Sequence, residues 1–191
     1  MKGQDGVSSS MTPAWIGVDW GTTALRAWAF SLDGRVLAEA SSTRGMGTLD
    51  PAEFEPALFD LVTPWLPEQP SPSVQVIACG MVGARQGWRE APYRAVPCTP
   101  AADGLQPVEP TDPRLAVAII PGLSQSEPPD VMRGEETQIA GYLAEMPDFD
   151  GVLCLPGTHT KWAQMSAGEV VSFQTCLTGE LFALLGSESV L

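Results

Sequence analysis

Twice along this chain an apolar strand runs into a Gly–Thr turn, returns as a second strand and passes through a glycine turn into a third. The first copy is Trp15 to Asp19, the turn Gly21-Thr22-Thr23, Leu25 to Phe30, the turn Asp33-Gly34 and Val36 to Ala40. The second is Val152 to Leu155, the turn Pro156-Gly157-Thr158-His159-Thr160, Lys161 to Met165, the turn Ala167-Gly168 and Val170 to Thr175. Short apolar runs joined by Gly and Asp turns predict antiparallel meanders. Repetition of the whole unit predicts two domains, each opening with one meander.

The intervening sequence alternates between strand and helix signals, which makes the chain α/β. Asp50-Pro51 reads as a cap and first helical residue, followed by Phe54, Leu58, Leu61, Val62 and Trp65 at helical spacing. Pro56 opposes a straight helix, so the helix starts late or bends. Val74 to Cys79 reads as a buried strand, and Gly80-Met81-Val82-Gly83 as the loop leaving its end, where open α/β sheets bind ligands. Residues 97–113 are proline-rich and aperiodic, which predicts a surface excursion before a strand at Leu115 to Ile120 and a turn at Pro121-Gly122. Arg133-Gly134-Glu135-Glu136-Thr137 opens a helix that runs to about Glu145, and a last helix is predicted near Glu180 to Leu185. The resulting division is a disordered tail at 1–13, a first domain at 14–146 and the opening of a second at 147–191. That second domain has no closing signal and reads as incomplete.

Charge narrows the partners. Ten basic residues against 23 acidic ones give a net charge of −13, which disfavours nucleic acid and anionic lipid. Any phosphate site must therefore be organised locally. Apolar runs are strand-length and the N-terminus is polar, so the expected location is the cytoplasm, with no membrane partner. The cysteines, Cys79, Cys98, Cys154 and Cys176, lack C-x-x-C spacing, and His159 is the only histidine, which argues against zinc. Cys79 and Cys154 lie in apolar runs and read as buried free thiols. Neither a P-loop, a dinucleotide fingerprint nor a nucleophile elbow occurs.

Two Gly–Thr turns and an acid at a helix opening suit phosphoryl transfer, which needs positioning and charge neutralisation more than covalent chemistry. Gly21, Thr22 and Thr23 on one side and Gly157 and Thr158 on the other offer donors to phosphates, and Asp19 can hold a hydrated divalent cation. Arg26 can reach the same phosphates with its planar fork, or is a surface strand arginine. Glu136 or Glu135 can accept a substrate hydroxyl proton, or both serve only the helix dipole. Arg133 and Lys161 are candidates for an anionic substrate group, alongside the Gly80, Met81, Val82 and Gly83 loop. His159 is expected to make a turn hydrogen bond and no proton transfer.

These turns resemble those of the actin, hexokinase and heat-shock ATPase superfamily. The runs Asp19 to Trp28, Gly80-Met81-Val82-Gly83 with Gly87-Trp88, Ala91-Pro92-Tyr93, Ile120 to Leu123, Val131 to Gln138, Leu155 to Trp162 and Thr178 to Leu181 resemble the 2-dehydro-3-deoxygalactonokinase family. The resemblance runs from about Trp15 to Leu191 and implies a ribonuclease H-like, actin-like ATPase fold. It implies phosphate transfer from ATP with Mg²⁺ to the 6-hydroxyl of a small-molecule sugar acid, 2-dehydro-3-deoxy-D-galactonate. It gives Asp19 the metal, the two Gly–Thr turns the phosphates, and Glu136 the place of the base, with Glu135 second and a Glu where the wider superfamily has Asp. Such kinases continue beyond this chain's end with a Gly-rich adenosine-binding segment, so an incomplete kinase is expected. The alternative is a non-catalytic sugar-acid or nucleotide-binding remnant acting as a sensor or interaction protein. Homo-oligomerisation is compatible with either reading.

Overall fold

Every second residue of Trp15–Trp20 is buried, so β1 turns Ile16, Val18 and Trp20 to one side. The structure, a computed structural model, describes residues 12–100 and 103–188. The tail expected at 1–13 therefore lies, up to residue 11, outside the described residues. β1 pairs antiparallel with β2 (Leu25–Phe30), and β2 with β3 (Val36–Ser42). This is the first meander, with β1 running on to Trp20 and β3 to Ser42, beyond the expected ends.

The predicted helix does start late. Pro51–Glu53 forms a 3-10 turn whose Asp50 N–H donates to the Glu53 carboxylate at 2.8 Å, and α1 follows at Phe54–Val62. Pro56 falls in the first turn of α1, where its missing N–H has no helical partner to lose. Phe54, Ala57, Leu58 and Val62 are buried, and the Phe54 ring meets that of Trp20 at 5.2 Å between centroids. Glu53→Ala removes the exposed capping contact and is expected to lower stability by about 0.5–1 kcal/mol in urea unfolding. A larger loss would mean that the 3-10 turn carries more than a cap.

β4 (Val74–Gly80) leads into a short 3-10 turn at Met81–Gly83. Downstream come β5 (Tyr93–Ala95), β6 (Gln106–Val108), β7 (Leu115–Ile119), β8 (Gly122–Ser126) and β9 (Pro129–Met132). The order β3-β2-β1-β4-β7-β6 makes one six-stranded sheet, and β5-β8-β9 a separate three-stranded one. The described residues of the expected excursion at 97–113 do lie mostly at the surface, and they include β6 at a sheet edge. The hairpin β8–β9 replaces the plain turn read at Pro121-Gly122.

α2 (Glu135–Glu145) precedes the second meander, β10 (Gly151–Leu155), β11 (His159–Ser166) and β12 (Glu169–Leu177), and α3 (Gly179–Glu188) follows it. Leu123, Met132, Ile139, Ala163, Met165, Val170 and Phe173 form a buried cluster against which Leu153 and Leu155 pack. Strand alternation then sends Cys154 to the opposite face, where it is exposed. Cys79 is buried as expected, and none of the four cysteines forms a disulfide with another described residue.

By proximity the described residues group into two compact units, residues 12–78 with 107–118, and residues 79–100 and 103–106 with 119–188. These do not follow the division at 146/147 drawn from the sequence. Among the described residues, no helix is long and apolar enough to cross a membrane.

Candidate active site

In the first unit, the β1–β2 turn carries the candidate phosphate ligands. Gly21 N–H donates to Ala24 O at 2.9 Å, which closes the turn and leaves Thr22 and Thr23 exposed. Asp19 and Arg26 are register partners across β1 and β2, and their side chains form an ion pair at 3.8 Å. Both are well exposed, so the pair contributes little to stability. It does hold a carboxylate and a guanidinium beside the turn. One carboxylate and two hydroxyls suit Mg²⁺, which keeps most of its waters and binds mainly through substrate phosphates. Among the described residues no cluster of three His, Cys, Asp or Glu side chains forms an all-protein metal site.

The chain after β3 presses on this turn. Met46 N–H donates to Gly21 O and Gly47 N–H to Thr22 O, both at 2.9 Å. A Cβ on Gly45 would lie 2.3 Å from Thr22 O.

In the second unit, Glu136 sits on α2 and is 2% exposed. Its carboxylate oxygens accept the Gly134 N–H at 2.7 and 2.9 Å. Burial pushes its carboxyl up to about 7, an effect opposed by the backbone N–H groups that bond it. Glu135 accepts the Arg133 N–H at 3.0 Å. Gly134 has φ +108°, and a Cβ there would come within 3.3 Å of Gly80 Cα, so the start of α2 lies directly on the end of β4. Gly80 itself has φ +92°. The sequence-predicted Gly80 loop and the Glu136 helix start are thereby neighbours.

Arg133 stands behind that loop. Its Nη2 donates to Ala91 O at 2.9 Å, its guanidinium lies 4.3 Å from the Tyr93 ring centroid, and a Cβ on Gly83 would meet its Nη1 at 2.8 Å. Its Nε and Nη1 are buried with no hydrogen-bond partner among the described residues. Val82 and Gly83 are buried, whereas Met81 is partly exposed.

Lys161 is a correction. Expected at an anionic substrate group, it is 6% exposed, and its ammonium donates to Val131 O at 2.6 Å and to Thr175 Oγ1. Asp130 lies 3.7 Å away. With its donors taken up inside the unit, this lysine holds β9 to β11 and β12. His159, expected to make a turn hydrogen bond, instead opens β11 and bonds Glu180 of α3 at 2.8 Å.

Gly157 and Thr158 are exposed, and α3 begins against them. Glu180 N–H donates to Thr158 O at 2.9 Å, and a Cβ on Gly179 would lie 2.4 Å from Gly157 O. Sequence reasoning gave no site role to Tyr93, Gly45, Gly47 or Gly179, although Tyr93 and Gly179 lie in runs that carry the family resemblance. A usable signal was present for the glycines, since each meander repeat is followed within a few residues by one. A groove lined by Glu55, Pro56, Phe59, Asp60 and Asp112 contains none of these groups. Its acids are occupied by Thr111 and Asp112 amides, Arg44 and Arg114.

A crystal structure of a Sinorhizobium meliloti protein assigned as a 2-dehydro-3-deoxygalactonokinase matches with TM-score 0.81 and 39% identity, over 93% of this chain and 58% of that one. The α/β architecture with its meander-borne turns is thus that of the actin-like sugar kinases. A family model described as 2-keto-3-deoxy-galactonokinase matches residues 19–191. The chain belongs to that family. It is 40% identical over 177 residues to a Rhizobium meliloti protein assigned as 2-dehydro-3-deoxygalactonokinase DgoK1, a match covering 91% of this chain and 56% of that protein. It is 37% identical over 183 residues to the Escherichia coli 2-dehydro-3-deoxygalactonokinase, covering 95% and 59% respectively. The chain spans less than three-fifths of the length of these curated relatives.

Proposed function

We propose that this chain carries phosphate-binding and proton-accepting parts of an ATP- and Mg²⁺-dependent kinase acting on the 6-hydroxyl of 2-dehydro-3-deoxy-D-galactonate. The observation that carries the reading is Glu136, a buried carboxyl at a helix start, raised to about 7 and lying beside the Gly80 loop. A group titrating there is half ionised at neutral pH, which suits it to take a proton from an alcohol as that alcohol attacks. Family membership supplies the reaction class.

In this reading bound MgATP supplies the phosphoryl group. Asp19 would hold the hydrated metal, Thr22, Thr23, Gly157 and Thr158 would bind phosphate oxygens, Gly21 closes the first turn through its N–H bond to Ala24 O, and Arg26 would neutralise the phosphate charge. The Gly80 to Gly83 backbone lines the sugar acid, and Arg133 puts a positive charge behind that loop. Glu135 holds the Arg133 amide and thus the start of α2. Residues 14–146 form the first kinase domain and 147–191 open the second, in a cytoplasmic enzyme.

The test mixes the protein with MgATP and 2-dehydro-3-deoxy-D-galactonate, follows ADP release with a coupled assay, and locates the new phosphate ester by ³¹P NMR. Binding of nucleotide and sugar acid is expected, and any ester that forms should be at C6. Calorimetry showing that neither nucleotide nor sugar acid binds would overturn the reading.

A further inference from the structure

The two Gly–Thr turns are held by the same device, built separately in each unit. In the first, the chain leaving β3 brings Gly45 against the turn, where a Cβ would lie 2.3 Å from Thr22 O and 2.4 Å from Thr23 N. The next two amides, Met46 and Gly47, donate to Gly21 O and Thr22 O. In the second, the chain leaving β12 brings Gly179 against the turn, where a Cβ would lie 2.4 Å from Gly157 O and 3.2 Å from Thr158 Cα. The next amide, Glu180, donates to Thr158 O. Each time the third strand of a meander exits through a glycine where a Cβ would clash with the turn, and N–H donation from the residues after it caps turn carbonyls, two in the first unit and one in the second.

Carbonyl oxygens are the groups in a turn that repel an anion. Bonding them to the clasping strand-exit segment neutralises them and fixes the turn in one conformation. The hydroxyl-bearing Thr22, Thr23 and Thr158 remain exposed. We propose that Gly45 and Gly179 are equivalent positioning residues, each holding its Gly–Thr turn in the conformation that accepts phosphate oxygens. The inference rests on the reading of these turns as phosphate ligands. Ala at either position must push the turn away and uncover its carbonyls. Gly47 plays a milder part, since its Cβ would meet Thr22 Cγ2 at 3.1 Å and Thr22 O at 3.2 Å.

The experiment titrates ¹⁵N-labelled protein with inorganic tripolyphosphate and Mg²⁺ and follows ¹H–¹⁵N shifts. In the unmodified chain, shifts are expected at Gly21 to Thr23 and at Gly157 and Thr158. Gly45→Ala should abolish the first set and keep the second, and Gly179→Ala should do the reverse. Gly141→Ala, whose Cβ would meet nothing within 4 Å, should leave both unchanged. A merely structural glycine would not separate the two sets, so each variant's intact turn reports that its fold survives. Should Gly45→Ala lose spectral dispersion, Gly47→Ala is expected to weaken binding at Gly21 to Thr23 about tenfold, the equivalent of one charge-assisted hydrogen bond. Variants that keep their local shifts at unchanged affinity overturn the clasp and leave the phosphate reading standing. An unmodified chain with no shift at either turn overturns both.

Discussion

Glu136→Gln is expected to abolish a fall in stability that the unmodified protein shows between about pH 4.5 and pH 7. Burial raises this carboxyl from an ordinary 4.5 to about 7 in the folded chain. Between those values the folded state keeps a proton that the unfolded state has released, so unfolding free energy declines as pH rises, by up to about 3 kcal/mol, and levels off above the window. Gln has no proton to release, and the variant should exceed the unmodified protein in stability at pH 8. Urea unfolding across the range measures this. A slope that survives in the variant would assign the ionisation to another group. In a form of the protein that phosphorylates the sugar acid, the same substitution should lower kcat by about 10²-fold or more with little change in KM, as expected of a lost general base. Glu135→Gln should do less, because its carboxylate is engaged with the Arg133 N–H at 3.0 Å. The reverse ranking would make Glu135 the base.

The second large effect is expected at Asp130. Its carboxylate accepts Thr175 N–H at 2.9 Å and Thr175 Oγ1 at 2.7 Å, and it neutralises the buried Lys161 ammonium. Asp130→Ala leaves that cation inside the unit with no counter-charge, which should cost about 3–5 kcal/mol in urea unfolding. Joining it to Lys161→Met replaces the stranded charge with an apolar chain of similar length, and most of the loss should return. If the single substitution costs under about 1 kcal/mol, water reaches Lys161 and the pair is a surface one.

Lys161 also marks where reading the sequence stopped short. The lysine follows a Gly–Thr turn as a phosphate-handling residue might, and while Thr175 is its cross-strand neighbour, its other partner, Val131, lies on β9 outside the meander. No local pattern announces a contact of that range. The meanders themselves were legible because alternation and Gly or Asp turns are local properties, and each predicted strand of both meanders is present. The hairpin β8–β9 was not, since GLSQS has too little apolar alternation and PDVM opens on a proline, a poor strand signal. Cys154 shows a related limit: an apolar run gives a strand but not which of its faces is covered. At the candidate site, the acids and turns could be chosen by residue type. The contact of Gly134 with Gly80 needed both φ values and a long-range approach that sequence does not encode in any single segment.

Synthesis on the ribosome gives the discontinuity of the first unit a consequence of its own. Residues 12–78 emerge before 107–118, which belong to the same unit, and β7 is the strand beside β4. While residues 79–106 are being made, β4 has one edge with no neighbour to pair with. An open edge on an apolar strand is a template for pairing with another chain. The emerging polypeptide is therefore most vulnerable to aggregation between the appearance of Gly80 and that of Ile119, and slow translation in that interval would prolong the exposure.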